Sequence, residues 1–321
     1  MAAAKFTNTR FTKVACPHKE FTFDEQIGFK KQLDGLKPAL VHFGMVQQPV
    51  WYRGKVVTTM QDLTTVRFRN PSKNPVAFTL KQQVYKWVNK RVARKSDAII
   101  TPTQFVKDDI VNFTGIDPAK VTVTYEAADR LAETAQPVPG LENVQFIMYL
   151  GRPTPHKNLA RLIDAFTILQ QQFPELRLVL AGKKDKNYQL HEARVRELKL
   201  KNVIFTGFIS DGQLRWLYEH CAAYVFPSLS EGFGLPALEA MAHGAPVACS
   251  NATCLPEVYG DAVHYFDPLD VTDVATKIAD ILSNPGLRKA LITGDTAQVN
   301  KYSWERMAKQ TLAVYKQVLG E

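Results

Sequence analysis

Cysteine is scarce in this chain: four in 321 residues, Cys16, Cys221, Cys249 and Cys254. None forms a C-x-x-C pair, which removes the usual zinc and dithiol spacings and leaves reduced thiols in a cytosolic protein as the simplest reading. Long apolar runs are also missing. None approaches the ~20 residues that a membrane-spanning helix needs. The start, Met1 to Arg10, lacks the apolar core of a signal peptide. No Asp-x-Asp pair, no short repeat and no low-complexity segment occurs.

What is there describes a globular protein, with 45% hydrophobic and 22% charged residues. The length suits two domains of ordinary size. The net charge of +9 is one-sided. Residues 1–130 carry 21 Lys+Arg against 11 Asp+Glu, a balance of +10, and the remainder carries 19 against 20, a balance of −1. A basic half attracts anionic partners such as a membrane surface, phosphorylated acceptors or nucleic acid. Aromatics do not interleave with the basic residues and no nucleic-acid motif is found, so nucleic acid is set aside.

Apolar runs and helical spacings alternate along the chain. Strands are expected at 10–16, 39–43, 55–60, 98–103 and 120–125, with helices over 23–36, 78–95 and 104–112. The 78–95 helix has Leu80, Val84, Val88 and Val92 at four-residue spacing, read as one buried face, with Lys81, Lys86, Lys90, Arg91, Arg94 and Lys95 outside it. Residues 133–140 contain two prolines and no apolar period, and read as a linker. Beyond it, strands at 145–150, 176–181, 203–206, 222–227 and 246–250 alternate with helices. That pattern builds parallel sheets covered on both faces. The expected fold is α/β with two Rossmann-like domains facing a cleft. One spans 1–132 and is short. The other spans 143–302, and a last helix, 303–321, is free to pack back on the first domain.

Two stretches carry chemistry. The first is Ser228-Leu-Ser-Glu231-Gly232-Phe233-Gly234-Leu235-Pro236-Ala-Leu-Glu239, a strand exit, a glycine loop and a helix start. Free N–H groups and the positive end of the helix dipole suit an anion there. Glu231 in the loop and Glu239 one turn into the helix suit hydroxyl-rich groups on either side of a phosphate, as in a nucleotide-sugar. The second is Gly151-Arg152-Pro-Thr-Pro-His-Lys157-Asn158, also between a strand and a helix. Arg152 can grip a diphosphate bidentately and Lys157 can add a point charge. In the first half, Asp62 and His42 end strands of the expected sheet, where open α/β folds bind ligands.

These stretches occur in a fixed order with Phe205-Thr-Gly-Phe, Pro246-Val-x3-Asn251-x4-Pro256-Glu-Val and Phe266-Asp-Pro-x-Asp270. Together they resemble the C-terminal domain of the family 4 retaining glycosyltransferases, of the GT-B fold. Val41-His42-Phe, Val56-Val-Thr-Thr-Met-Gln-Asp62-Leu and Asp97-Ala-Ile-Ile-Thr-Pro-Thr103 resemble its N-terminal domain more loosely. The resemblance implies a hexosyltransferase that uses a nucleotide-diphosphate sugar, with no cofactor and no metal. It implies that Glu239 binds the ribose, that Glu231 binds the transferred sugar, and that Arg152 and Lys157 neutralise the leaving diphosphate. The backbone of Gly232, Phe233, Gly234 and Leu235 would complete the donor cradle. A glycan or lipid-linked acceptor would lie across the cleft near Asp62 and His42, at a cytoplasmic or inner-membrane location. Two departures stand out. Gln61 replaces a family histidine. No glycine-rich first strand and loop is legible before Arg10, so about one strand–helix–strand unit of the first domain is expected to be absent. A nucleotide-sugar-binding module with weak or no catalysis is the alternative reading.

Overall fold

The computed structural model describes residues 8, 10–19, 22–68, 75–183 and 186–321. Two all-parallel sheets organise it. The first has β1 (Val41–Phe43), β2 (Val56–Thr59), β3 (Ala98–Thr101) and β4 (Val121–Val123), side by side in chain order. The second has β5 (Phe146–Leu150), β6 (Arg177–Ala181), β7 (Val203–Gly207), β8 (Ala223–Phe226), β9 (Val247–Ser250) and β10 (His264–Phe266), in the order β10-β9-β8-β5-β6-β7. The order reverses between β5 and β8. The loops that leave such a switch point diverge and open a crevice at the carboxyl ends of the strands.

Parallel sheets are covered on both faces, which is why their strands read as unbroken apolar runs. In the second sheet Phe146, Met148, Tyr224 and Phe226 enter one core, while Ile147, Tyr149, Ala223 and Val225 enter the other. Successive residues of a strand point to opposite faces, and here both faces are buried. In the first sheet Ile99 joins Val46, Val50, Met60, Leu63, Val92 and Ile110 on one side. Val57, Ala98 and Ile100 meet Val314 on the other. Val314 belongs to the final helix, Trp304–Leu319, so the end of the chain covers a sheet built near its start. The crossing segment, residues 124–145, has neither helix nor strand. It is pinned to the second half by Leu131 N–H donating to His243 Nε2 (3.0 Å) and Gln136 N–H donating to the Gly212 carbonyl (2.9 Å). Among the described residues no helix is long and apolar enough to cross a membrane.

Two expectations are corrected. Residues 10–16 form no strand and are exposed. The helix Pro75–Lys95 does not bury its four-residue apolar row as one face: Val92 is fully buried and Val88 packs on the core, whereas Leu80 and Val84 are 68% and 55% exposed. An α-helix turns roughly 100° per residue, so each step of four drifts roughly 40°. Over three steps the row spirals from the solvent side to the core side.

Asp295, in the helix Pro285–Val299, is fully buried with both carboxylate oxygens unpartnered among the described residues. Burial alone pushes its carboxyl up to about 8. An unfolded carboxyl titrates near pH ~4. Between these values the folded chain holds a proton that the unfolded chain releases, so this group's stabilisation is complete below pH ~4 and is lost as pH rises through about 8. Asp295→Asn has no such titration. Its melting temperature is expected to exceed that of the parent chain at pH 8.5, with the gap narrowing towards pH 5.5. Parallel melting curves across that range measure it, and a constant gap would contradict the assignment.

Candidate active site

The crevice is built where β5 and β8 part. After β5 the chain makes a short 3-10 turn, Pro155–Lys157, and enters the helix Leu159–Gln172 through Asn158 in the left-handed region at φ 61°. Asparagine tolerates that conformation. Its buried side chain donates to the carbonyls of Pro227 (3.1 Å) and Pro268 (2.8 Å), which fixes the loop against the exits of β8 and β10. After β8 the second loop runs alongside, and Leu229 N–H donates to the His156 carbonyl at 2.7 Å. The two anion-suited stretches are thus one hydrogen-bonded unit.

This pairing brings Lys157 to Glu231. Nζ lies 2.6 Å from Oε1, with side-chain exposures of only 18% and 12%. Lys157 Nζ also sits 5.6 Å above the Phe226 ring. Glu231 is fixed from behind, where its N–H donates to Thr253 Oγ1 (3.2 Å) and its carbonyl accepts from Cys254 Sγ (3.3 Å). Arg152 is exposed at the end of β5, with no carboxylate partner among the described residues.

Gly234 caps the helix Leu235–Ala242 at φ 97°, and Pro236 occupies the first turn. A side chain at Gly234 would be strained by the backbone and would strike the Tyr259 hydroxyl. That hydroxyl donates to the Gly234 carbonyl and locks the turn. Among the described residues none accepts from the N–H groups of Phe233, Gly234 or Leu235, so the helix start presents free donors. Phe233 itself is 3% exposed and packs edge-on against Tyr302, 5.3 Å away, so it contributes its backbone and anchors the loop. Glu239 is half-buried and receives a hydrogen bond from the Tyr218 hydroxyl (3.4 Å). Burial pushes its carboxyl above the ordinary range, the Tyr218 bond opposing. A carboxylate holding one hydroxyl has room for more.

The other wall comes from the first half of the chain. At Gly232 an added Cβ would lie 2.0 Å from the Gln61 carbonyl oxygen and 3.3 Å from Asp62 Cβ, so only glycine admits this approach. Around it Thr64 Oγ1 and Ser230 Oγ share a hydrogen bond (2.9 Å), and Thr103 Oγ1 donates to the Gly232 carbonyl (3.0 Å). Glu257 accepts from the N–H groups of Gln104 (2.7 Å) and Phe105 (2.8 Å) and from the Tyr125 hydroxyl (2.9 Å). A residue of the second half therefore helps to cap a helix, Gln104–Thr114, of the first. Asp62 accepts from Thr64 N–H (2.7 Å) and lies beside the glutamate loop. His156 reaches the same wall, its ring 5.9 Å from that of Phe68, and burial, then Lys157, depresses its imidazole.

His42 is not in this group. Its Nε2 bonds to Thr59 Oγ1 (2.8 Å), and Nδ1 bonds to the Tyr315 hydroxyl of the final helix. Ser230, Glu257 and His156 lie within the quoted stretches but, like Thr64, take no role from the sequence. Their partners lie in the other half of the chain, and no local spacing reports that. Among the described residues no cluster of His, Cys, Asp and Glu could hold a metal ion.

Residues 132–297 match the family described as glycosyl transferases group 1, and residues 9–130 match glycosyltransferase family 4. The chain belongs to the family 4 glycosyltransferases. It is 31% identical to the O-antigen chain mannosyltransferase B of Escherichia coli, over 82% of this chain and 70% of that protein. It is 34% identical to the serotype-specific mannosyltransferase WbdA of Escherichia coli over 70% of this chain, a stretch that spans only 29% of that longer protein. Anabaena Alr3699/HepE, solved in complex with UDP and glucose, superposes with a TM-score of 0.73 at 17% identity, over 92% of this chain and 83% of that one. Its likeness establishes the GT-B fold for this family 4 chain.

Thr103 Oγ1 caps the helix Gln104–Thr114 by accepting from Val106 N–H (3.2 Å), so removing the Glu257 carboxylate deprives only the Gln104 and Phe105 N–H groups and the Tyr125 hydroxyl of their acceptor. Glu257→Ala is expected to lower the unfolding free energy by about 1–2 kcal/mol, read as a lower urea midpoint at unchanged slope. Glu257→Gln, which keeps an acceptor, should lose less.

Proposed function

We propose that this chain transfers a hexose from a nucleotide-diphosphate sugar to a saccharide or lipid-linked acceptor, with retention at the anomeric carbon. The observation that carries the reading is the Lys157–Glu231 pair, set beside the free N–H groups of the helix start at Gly234. A cation, a helix dipole and a carboxylate converge within one crevice. The first two suit a leaving diphosphate, and the third suits sugar hydroxyls. The complex of Anabaena Alr3699/HepE with UDP and glucose, and the mannosyltransferase relatives, support the same substrate class.

In this reading Arg152 and Lys157 hold the diphosphate, and the N–H groups of Phe233, Gly234 and Leu235 extend the cradle. Glu239 takes the ribose hydroxyls and Glu231 those of the hexose. The bond from the anomeric carbon to the diphosphate oxygen breaks as negative charge grows on that oxygen. The acceptor hydroxyl attacks the face from which the diphosphate departs, and its proton passes to the departing oxygen. Preorganised positive groups lower the barrier because the charge they meet exists only in the transition state. Asp62 faces the acceptor from the opposite wall. The charge stabilisation is assigned to side chains and backbone, with no role for a metal.

Assays with mannosyl and glucosyl nucleotide donors test this. Glu231→Ala and Glu239→Ala should each lower kcat/KM by about 1–3 kcal/mol, that is roughly 5- to 150-fold, with melting temperatures near that of the parent. Lys157→Ala should fall further, by about 10²- to 10³-fold, mainly in kcat. Donor binding seen as a thermal shift, with no turnover at high enzyme concentration, would favour a binding module instead. Unchanged kinetics in both glutamate variants would sink the assignment.

A further inference from the structure

The helix Pro75–Lys95 buries one side and leaves the other unpartnered. Inward, Val88 and Tyr85 pack against the core that contains Val92 and Ala93. Outward, Leu80, Val84 and Trp87 are exposed by 68%, 55% and 50%. Their positions fall within a narrow arc on the crest of the solvent side, because steps of four and three residues return near the same direction on a helix. The loop between β1 and β2 adds Trp51, 55% exposed, with its ring 6.4 Å from that of Trp87. Three aliphatic and indole groups of one helix, plus a second indole, thus form a continuous apolar strip facing water. Scattered exposed hydrophobics are ordinary, whereas four gathered on one side of a helix and its neighbouring loop mark a surface that meets a partner.

Charge identifies what covers it. Residues 75–95 contain six Lys+Arg and no Asp or Glu. Lys81 and Lys90 are exposed on opposite sides of the strip, exposed Arg91 and Arg94 continue its direction towards the helix C-terminus, and exposed Arg53 lies two residues from Trp51. Long cationic side chains lay their methylenes along apolar surface and carry the charge to its rim. An apolar crest with a cationic rim and indoles at the edge matches a helix lying in the plane of an anionic bilayer, with its crest among the acyl chains and its rim at the headgroups.

We infer that the outward face of Pro75–Lys95, with Trp51, docks this chain on an anionic lipid surface. The placement has a use. Gln82 Nε2 on the same helix donates to the Val66 carbonyl (2.9 Å) of the short helix Thr64–Arg67, which begins two residues after Asp62. The lipid-facing helix therefore adjoins the wall of the crevice, and an acceptor rising from the headgroups would enter there. The docking itself does not depend on the reaction assigned above.

Co-sedimentation of the full chain with vesicles separates the outcomes. Binding is expected to phosphatidylcholine vesicles that contain phosphatidylglycerol and not to phosphatidylcholine alone, and it should weaken as salt rises. Leu80→Ser combined with Trp87→Ser should lower the partition coefficient at least tenfold, with an unchanged melting temperature and unchanged sugar transfer to a water-soluble acceptor. Lys81→Gln and Arg91→Gln should each weaken it roughly fivefold and flatten the salt dependence. Absence of binding to the anionic vesicles, equal binding to neutral vesicles, or full binding by the serine variant would each overturn the proposal.

Discussion

Among the described residues all ten strands pair in parallel, and the rest of the molecule depends on that constraint. Parallel pairing forces every connection to cross over the sheet, and it gathers the carboxyl ends of the strands of one sheet at one edge. In the second sheet the reversal between β5 and β8 separates the crossovers, and the two loops nearest the gap hold the cation and the carboxylates. The chemistry of Arg152, Lys157, Glu231 and Glu239 is local to those loops. What places them together is the strand order, reinforced by one backbone hydrogen bond from Leu229 to His156.

Much of this was legible in the sequence because the relevant signals are short-range. Buried parallel strands announce themselves as runs such as Ala222 to Phe226. The glycines, Pro236 and the flanking glutamates announce a loop and a helix start. Signals that span the halves were silent. Glu257 looks like any loop acid until its carboxylate is found on the N–H groups of Gln104 and Phe105. His42 is expected from the sequence near the acceptor, and its ring is engaged by Thr59 and by Tyr315 of the last helix. The spiral of Leu80, Val84, Val88 and Val92 was misread because equal spacing was taken for a constant direction.

The Lys157–Glu231 pair is an orienting contact more than a source of stability. Desolvating two charges offsets much of their attraction, and pairs with little exposure are weak contributors to folding. Held at 2.6 Å, however, each group fixes the other's rotamer in the crevice. Preorganisation of this kind means that little side-chain freedom remains to be lost when a ligand arrives. Gln61 is hydrogen-bonded to Glu126, whose carboxyl burial pushes upward while the Gln61 bond opposes.

The final helix has a consequence for how the chain is made. His42 and Tyr315 bond across 273 positions, and Val57, Ala98 and Ile100 have Val314 for a cover. During synthesis the first sheet leaves the ribosome long before that cover exists. One of its faces must wait, apolar and wet, until Val314 has been translated. Contacts so distant in sequence form slowly, and the waiting surface is open to misassembly. The first sheet is thus made early and matures late, and the helix Trp304–Leu319 decides when it is covered.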